Sequence, residues 1–344
     1  MADATPWVEL AAAVAVADAV VAVGARTQSE IGGAVVVGAT EISAPAGVVE
    51  FEPSDMTVKV NAGTPFAELR AALAERGQEC PLDPRDERAT VGGIVACGLS
   101  GPRRLGLGPV RDNLLEVTFV TADGRVVRGG GPTVKNVTGY DVPRLFVGSL
   151  GTLGVLVQVI LRTRPLPVSS QWFSTDADPV GVHTALHRAS TIVWDGATTR
   201  VLLEGHPADI DQQAAHVDLL PAAAPASPSG AHRGRISIEP NRIRALAESL
   251  GSTNTTWLAE IGVGTVHVAA DDAAALAAAR VVAASHAGWL LREAGAPDLD
   301  PFGIAFPATA VQSRLRQALD PTGKLSPGRV PATAPTAPAA GVAA

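Results

Sequence analysis

Glycine is unevenly placed along this 344-residue chain: of 35 glycines, most fall between residues 24 and 154. A backbone so often bare of Cβ turns tightly and brings its N–H groups against a ligand, so short strands broken by turns are expected here. Val20 to Val23 is an apolar run ended by Gly24-Ala25-Arg26-Thr27-Gln28, a buried strand entering a tight turn. Residues 58–63 alternate as a strand, after which Thr64 is the expected N-cap and Pro65 the first position of a helix reaching Leu73. Residues 90–101 carry too much glycine for a regular element. Residues 115–120 and 125–128, joined by Ala122-Asp123-Gly124, read as a hairpin, and residues 155–162 as a further strand closed by Pro165 and Pro167.

Composition changes after that proline pair. Helices are expected at 180–189, 209–219 and the alanine-rich 271–285, with strands near 199–203, 235–238 and 265–268, a βαβ-like mixture. The alanine-rich helix fits either another subunit or its own sheet. Residues 221–230 form a Pro/Ala/Ser spacer, and 331–344 lack the apolar side chains that offset ordering entropy, so a disordered tail is expected. No internal repeat is read.

Lys and Arg number 27 against 34 Asp and Glu, a net charge of -7 without a basic run, so nucleic acid is not an expected partner. Cys80 and Cys97 are the only cysteines and form no C-x-x-C pair, which leaves no disulfide framework, zinc site or iron–sulfur ligation. The apolar stretch from Trp7 to Val23 contains Glu9 and Asp18 and lacks a basic leader, so it reads as helix then strand in a cytoplasmic chain without a transmembrane segment.

No G-x-x-x-x-G-K-[ST] is present, and the glycines of Gly148-Ser149-Leu150-Gly151-Thr152-Leu153-Gly154 lead into a strand where a Rossmann fingerprint leads into a helix. Four stretches instead follow in order. They are residues 24–28, then Ala89 through Gly101, then Val110-Arg111-Asp112-Asn113, then Lys135-Asn136-Val137-Thr138-Gly139-Tyr140-Asp141 with 145–154. Together they resemble the FAD-binding domain of the vanillyl-alcohol oxidase and p-cresol methylhydroxylase (PCMH) superfamily. Within it, Cys97-Gly98-Leu99-Ser100-Gly101-Pro102-Arg103-Arg104, the stretch from Lys135, and the close of the chain at 319–329 resemble the FAD-binding E subunits of bacterial glycolate oxidases. The resemblance covers about residues 24–165 and 257–330.

The resemblance implies an α+β fold: a two-subdomain PCMH-type FAD-binding domain over 1–165, then a smaller α+β cap domain over 166–330. It places Gly24, Ala25, Arg26 and Thr27 in a first diphosphate loop, where Ala25 and Arg26 replace glycines usual in relatives. Thr90, Gly92, Gly93, Cys97, Gly98 and Gly101 belong to the second loop, with Gly108, Gly154 and Val155 also at the cofactor. Relatives that attach FAD covalently use a loop His or Cys; His is absent from both loops and Cys97 is usual for the E subunit, so non-covalent FAD is implied.

Larger catalytic relatives carry His-x-Gly-Asp-Gly-Asn-x-His, for which residues 260–267 here offer Glu260, two turn glycines and His267. His267 is the sole catalytic candidate, read in preference as a histidine paired within its own domain, and no metal site is expected. Arg103 and Arg104 are either a charge clamp on phosphate or carboxylate or a solvated pair. Lys135 and Tyr140 are loop anchors or flavin-side polar groups, and Asp112 is a buried partner of Arg111 or a turn anchor. His183 and His187 are read as surface residues, and Trp257, Trp289 and Phe302 as core or interface aromatics.

The function implied is the FAD-binding subunit of a glycolate oxidase, turning glycolate to glyoxylate and passing electrons to an iron–sulfur subunit beside a larger flavoprotein subunit. Such a complex is cytoplasmic, with membrane association through the partners. Two alternatives stand: a standalone FAD-dependent 2-hydroxy-acid dehydrogenase, and a non-catalytic interaction subunit of a flavoprotein complex.

Overall fold

The computed structural model describes residues 5–132, 140–304 and 309–330; the expected tail and residues 135–139 of the stretch beginning at Lys135 lie outside the described residues. The helix Thr5–Val16 buries Ala11 and Val14, three positions apart on one face, against Val20, Val120, Val155 and Leu325. Its exposed C-terminal carbonyls need donors. Lys324, from the far end of the chain, supplies them: its Nζ donates to the carbonyls of Val14, Ala15 and Ala17 at 2.7, 2.9 and 3.2 Å.

Strand Val20–Ala22 pairs in parallel with Thr40–Ile42, and Val20 bridges Leu325 on its other side, also in parallel. Parallel neighbours demand a crossover. Residues 23–39 make it without a helix, which leaves the glycine-bearing loop at 24–28 folded over the strand ends. An antiparallel sheet of five strands follows, in spatial order Val48–Glu52, Thr57–Asn61, Val155–Arg162, Leu114–Val120, Val126–Gly130. The central strand Val155–Arg162 is buried along nearly its whole length, as its unbroken apolar run requires. Helices Phe66–Ala74 and Val91–Cys97 cover one face through Phe66, Leu69, Leu73, Val91 and Ile94, and Phe119 packs on Phe146 with ring centroids 4.3 Å apart.

Two local expectations are corrected. Thr64 does not cap the helix at Phe66, whose N-cap is Pro65; its hydroxyl instead donates to the Asn61 carbonyl at 2.7 Å and accepts from Gly47 N–H at 2.9 Å. Buried at the strand end, it serves the turn that precedes the helix. Residues 91–97 form a helix, against the irregular segment expected. Thr90 caps it by accepting from Gly93 N–H, Gly98 ends it in the left-handed conformation, and a Cβ on Gly92 would stand 2.9 Å from Ala62 Cβ. Here glycine permits close packing of helix on strand, which outweighs its poor propensity.

From residue 169 the chain runs β-α-β-β-α-β twice. The first pass is Ser169–Thr175, Pro179–Ala185, Thr191–Trp194, Thr199–Gly205, Pro207–His216, Leu220–Pro221. The second is His232–Ser237, Ile243–Leu250, Thr256–Glu260, Thr265–Ala270, Ala273–Ser285, Trp289–Ala294. Pairing of Thr191–Trp194 with Thr256–Glu260 fuses both into one eight-stranded sheet, antiparallel throughout where a βαβ unit would be parallel. So a tandem repeat is present where none is read in the sequence, because what recurs is the order of periodicities and not residue identity. The alanine-rich helix Ala273–Ser285 packs on its own sheet through Ala275, Leu276, Ala279 and Ala283. Trp257 meets Trp194 edge-on at 5.4 Å.

The two sheets meet through Ile31, Leu150, Leu291 and Phe302, with Cys97, Leu99 and Trp289 packed around them. After the helix Thr309–Leu319, residues 320–329 return to pack beside the first strand, Val20–Ala22.

Candidate functional site

A cavity of about 290 Å³ opens between the parallel strands, the helix Val91–Cys97 and the turn before Val155. Gly24, Ala25, Arg26 and Thr27 line one side, Thr90, Gly92, Gly93 and Cys97 a second, and Gly154 and Val155 a third. Three stretches separated by more than fifty residues are thereby brought to one space. A methyl on Gly24 would overlap the Thr90 side chain, so the first loop touches the helix that forms the opposite wall.

Gly98, Gly101 and Gly108 do not line the cavity. Gly98 is the C-cap of the helix, Gly101 packs on Asp83, where a Cβ would stand 2.6 Å from Oδ2, and Gly108 ends the short helix Arg104–Leu107. Tyr140 is almost wholly exposed and stands apart from the lining. Asp112 is half-exposed, not buried, at 3.8 Å from both Arg111 and Arg144. The buried anchor of that turn is its neighbour Asn113, whose amide donates to the Pro81 carbonyl at 3.0 Å.

Arg26 has φ 57°, a left-handed backbone carried without glycine, and its guanidinium pairs with Glu41 at 2.5 Å on the exposed rim. Gln28, Ser149, Leu150, Gly151 and Arg329 also line the cavity and were not singled out from the sequence. Arg329 lies in the closing stretch at 319–329, but nothing in linear order ties it to residue 24.

These residues fit a dinucleotide flavin. Arg329 and Gln28 line the cavity, and Arg329 Nε and Gln28 Oε1 are buried without a hydrogen-bond partner among the described residues, so this wall carries polar groups the chain itself leaves unsatisfied. Burial pushes the Cys97 thiol up to about 11, so it stays protonated and unreactive.

Toward the second sheet the polar groups are bound to one another. Arg103 is neither a free clamp nor a solvated residue: its Nη2 lies 3.0 Å from Glu79 and 2.9 Å from Glu204, and Arg164 reaches Glu79 at 2.7 Å. Glu204 belongs to strand Thr199–Gly205 and Glu79 to the short pairing of Gln78–Glu79 with Arg164–Pro165, so this network ties the eight-stranded sheet to the first half of the chain. Arg85 adds a pair with Glu293 at 2.5 Å. His267 is buried with Nε2 2.6 Å from Glu260 Oε1, Glu260 is itself only 1% exposed, and neither lines the cavity. Among the described residues no group of three or more His, Cys, Asp or Glu is placed to hold a metal ion.

Asp83 accepts the Arg103 backbone N–H at 2.8 Å, and burial raises its carboxyl to about 6. A pKa higher in the folded chain than in the unfolded one means that folding retains the proton; stability is then greatest in acid and falls as pH rises through about 6. Asp83→Asn keeps an acceptor for Arg103 and removes the titration. Its stability relative to the parent should therefore be higher at about pH 8 than at about pH 5 by about 1 kcal/mol. Urea midpoints at the two pH values measure this, and an equal difference at both would show that Asp83 does not titrate in that window.

Residues 4–130 match the family described as FAD binding domain. Among curated proteins, glycolate oxidase subunit GlcE of Escherichia coli (strain K12) is 40% identical over 149 residues, 43% of this chain and 43% of that protein. D-lactate dehydrogenase of Archaeoglobus fulgidus is 37% identical over 117 residues, 34% of this chain and 26% of that one. The chain thus aligns with less than half the length of these relatives. Among solved structures, alkyldihydroxyacetonephosphate synthase superposes with a TM-score of 0.68 at 14% identity, over 90% of this chain and 71% of that one, a likeness of fold.

Proposed function

We propose that this chain is the FAD-bearing subunit of a complex that oxidises glycolate to glyoxylate, partnered by a larger flavoprotein subunit and an iron–sulfur subunit. The observation that carries the reading is the contrast between the two halves of the site. The cofactor side is open, with bare backbone from three stretches lining one cavity and a buried, unpartnered polar atom on each of two lining side chains. On the substrate side the one candidate base, His267, is closed into a pair with Glu260.

In this reading residues 24–27 and 90–93 cradle the FAD diphosphate, and residues 154–155 bring main chain to the flavin. Gly98, Gly101 and Gly108 keep the surrounding turns close. Cys97, protonated at neutral pH, leaves FAD held without a covalent bond. FAD supplies acceptance of a hydride from the 2-hydroxy acid. The onward route for electrons needs cluster ligands that Cys80 and Cys97 cannot provide, since clusters take four. The similarity to a glycolate oxidase subunit, GlcE, supports the choice of substrate and of a multi-subunit assembly. We place the complex in the cytoplasm, held to the membrane through its partners; among the described residues no helix is long and apolar enough to cross one.

The test is the visible spectrum of the purified chain, taken anaerobically before and after glycolate. The expected result is a flavin spectrum that persists in the chain alone and bleaches once both partner subunits are added. Bleaching in the chain alone would make it a standalone 2-hydroxy-acid dehydrogenase. Purification without flavin, and no uptake of added FAD, would make it a non-catalytic interaction subunit.

A further inference from the structure

Among the described residues lining the cavity, the charged side chains are Arg26, Arg329 and Glu41. Arg26 and Glu41 neutralise each other at 2.5 Å on the rim. Among the described residues no carboxylate pairs with Arg329. Its Nη1 and Nη2 reach only the carbonyls of Ile31 at 3.4 Å and Ser29 at 3.1 Å, and its Nε is buried with nothing to bond. Burial draws its pKa below the ordinary arginine value, as expected of a guanidinium without a counter-ion. A buried positive charge is tolerated when an anion meets it.

The chain positions this arginine deliberately tightly. Ser326 N–H donates to the Val20 carbonyl at 2.7 Å and Val36 N–H to the Pro327 carbonyl at 3.1 Å, so residues 324–329 run between the first strand and the crossover loop. Gly328 has φ +95°, and a Cβ there would stand 2.6 Å from the Ala34 carbonyl oxygen. Arg329 is thereby fixed behind the loop at 24–28, where its side chain joins the cavity lining.

We infer that Arg329 is a cofactor-binding residue whose guanidinium meets the diphosphate of FAD, so that seating of the chain's end completes the first loop. The inference rests on the cavity being the FAD site. Arg329 supplies the charge that the cavity otherwise lacks, while the backbone of residues 24–27 and 90–93 supplies the neutral N–H donors. Its two carbonyl contacts hold the fork in place before the cofactor arrives, which lowers the ordering cost of binding.

The test is titration of the deflavinated full-length chain with FAD, with ADP and with riboflavin, for the parent, Arg329→Gln and Arg329→Lys. ADP carries the diphosphate without the flavin ring, and riboflavin the ring without the diphosphate. Arg329→Gln should weaken FAD and ADP alike by roughly 10- to 100-fold and leave riboflavin within about twofold, with Arg329→Lys in between. Equal loss of all three ligands, or a lowered melting temperature of the apo chain matching the loss, would reduce Arg329 to a structural tether. No loss of any would remove it from the site. Weaker FAD with unchanged ADP and a displaced flavin reduction potential would put the guanidinium at the ring. If the parent binds neither FAD nor ADP, the cavity is not the flavin site, and both readings fall together.

Discussion

Arg103→Ala is expected to cost about 2–3 kcal/mol of stability and to uncouple the two sheets. The magnitude follows from what is left behind. Glu79 and Glu204 are each less than a tenth exposed, and they share the Arg103 guanidinium at 3.0 and 2.9 Å. Removing it strands Glu204 with Arg164 at 3.5 Å as its remaining cation, while Glu79 keeps Arg164 at 2.7 Å. That retained partner holds the loss below the full cost of an orphaned buried carboxylate. Because Glu204 sits on the second sheet and Arg103 beside the first, the variant should unfold in two separated thermal transitions where the parent unfolds in one. Adding Glu204→Gln to Arg103→Ala removes the stranded charge and should recover about half of the lost stability. A loss under about 0.5 kcal/mol in urea would place the network with ordinary surface pairs.

Gly24→Val is expected to abolish retention of FAD, with affinity falling by about 100-fold or more, while the rest of the fold survives. A Cβ at residue 24 runs into Thr90, whose Cγ2 and Cβ would lie 2.9 and 3.1 Å away. Thr90 cannot yield without cost, since its hydroxyl accepts from Gly93 N–H at 3.3 Å and so caps the helix Val91–Cys97. The loop must therefore withdraw, and the backbone offered to the cofactor moves with it. Gly24→Ala should lose less than Gly24→Val, and Gly24→Ala with Thr90→Ala should regain part of the binding at about 1 kcal/mol of helix stability, the worth of the cap. The ratio of flavin to protein absorbance after gel filtration reads all three. Unchanged flavin content in Gly24→Val would mean that the loop at 24–28 does not hold the cofactor.

Both predictions turn on contacts that no local pattern encodes. The hairpin around Asp123-Gly124 and the strand Val155–Arg162 are legible residue by residue, because turn chemistry and an apolar run are properties of neighbours in the chain. The helix Val91–Cys97 is not, since its glycines look like breakers until Ala62 is seen packed against Gly92. Arg103 shows the same limit. In the chain it is one of two adjacent arginines beside a glycine loop; in space it belongs to Glu79 and Glu204, the latter 101 residues away. The doubled β-α-β-β-α-β unit escapes notice because burial dictates only where apolar side chains recur, and many sequences satisfy one burial pattern.

By itself, then, the sequence determined the positions of bare backbone, the order of the loops, the family they resemble and the flavin that family binds. The first two follow from residue type and spacing, the last two from the resemblance those stretches carry. Only the tertiary structure decided which glycines open a cavity and which merely let elements touch, that His267 is closed into a pair with Glu260, and that Arg329 reaches the first loop. The reason is that charge pairing and close packing depend on distances in space, and a chain that folds its end back beside its beginning makes those distances independent of separation along it.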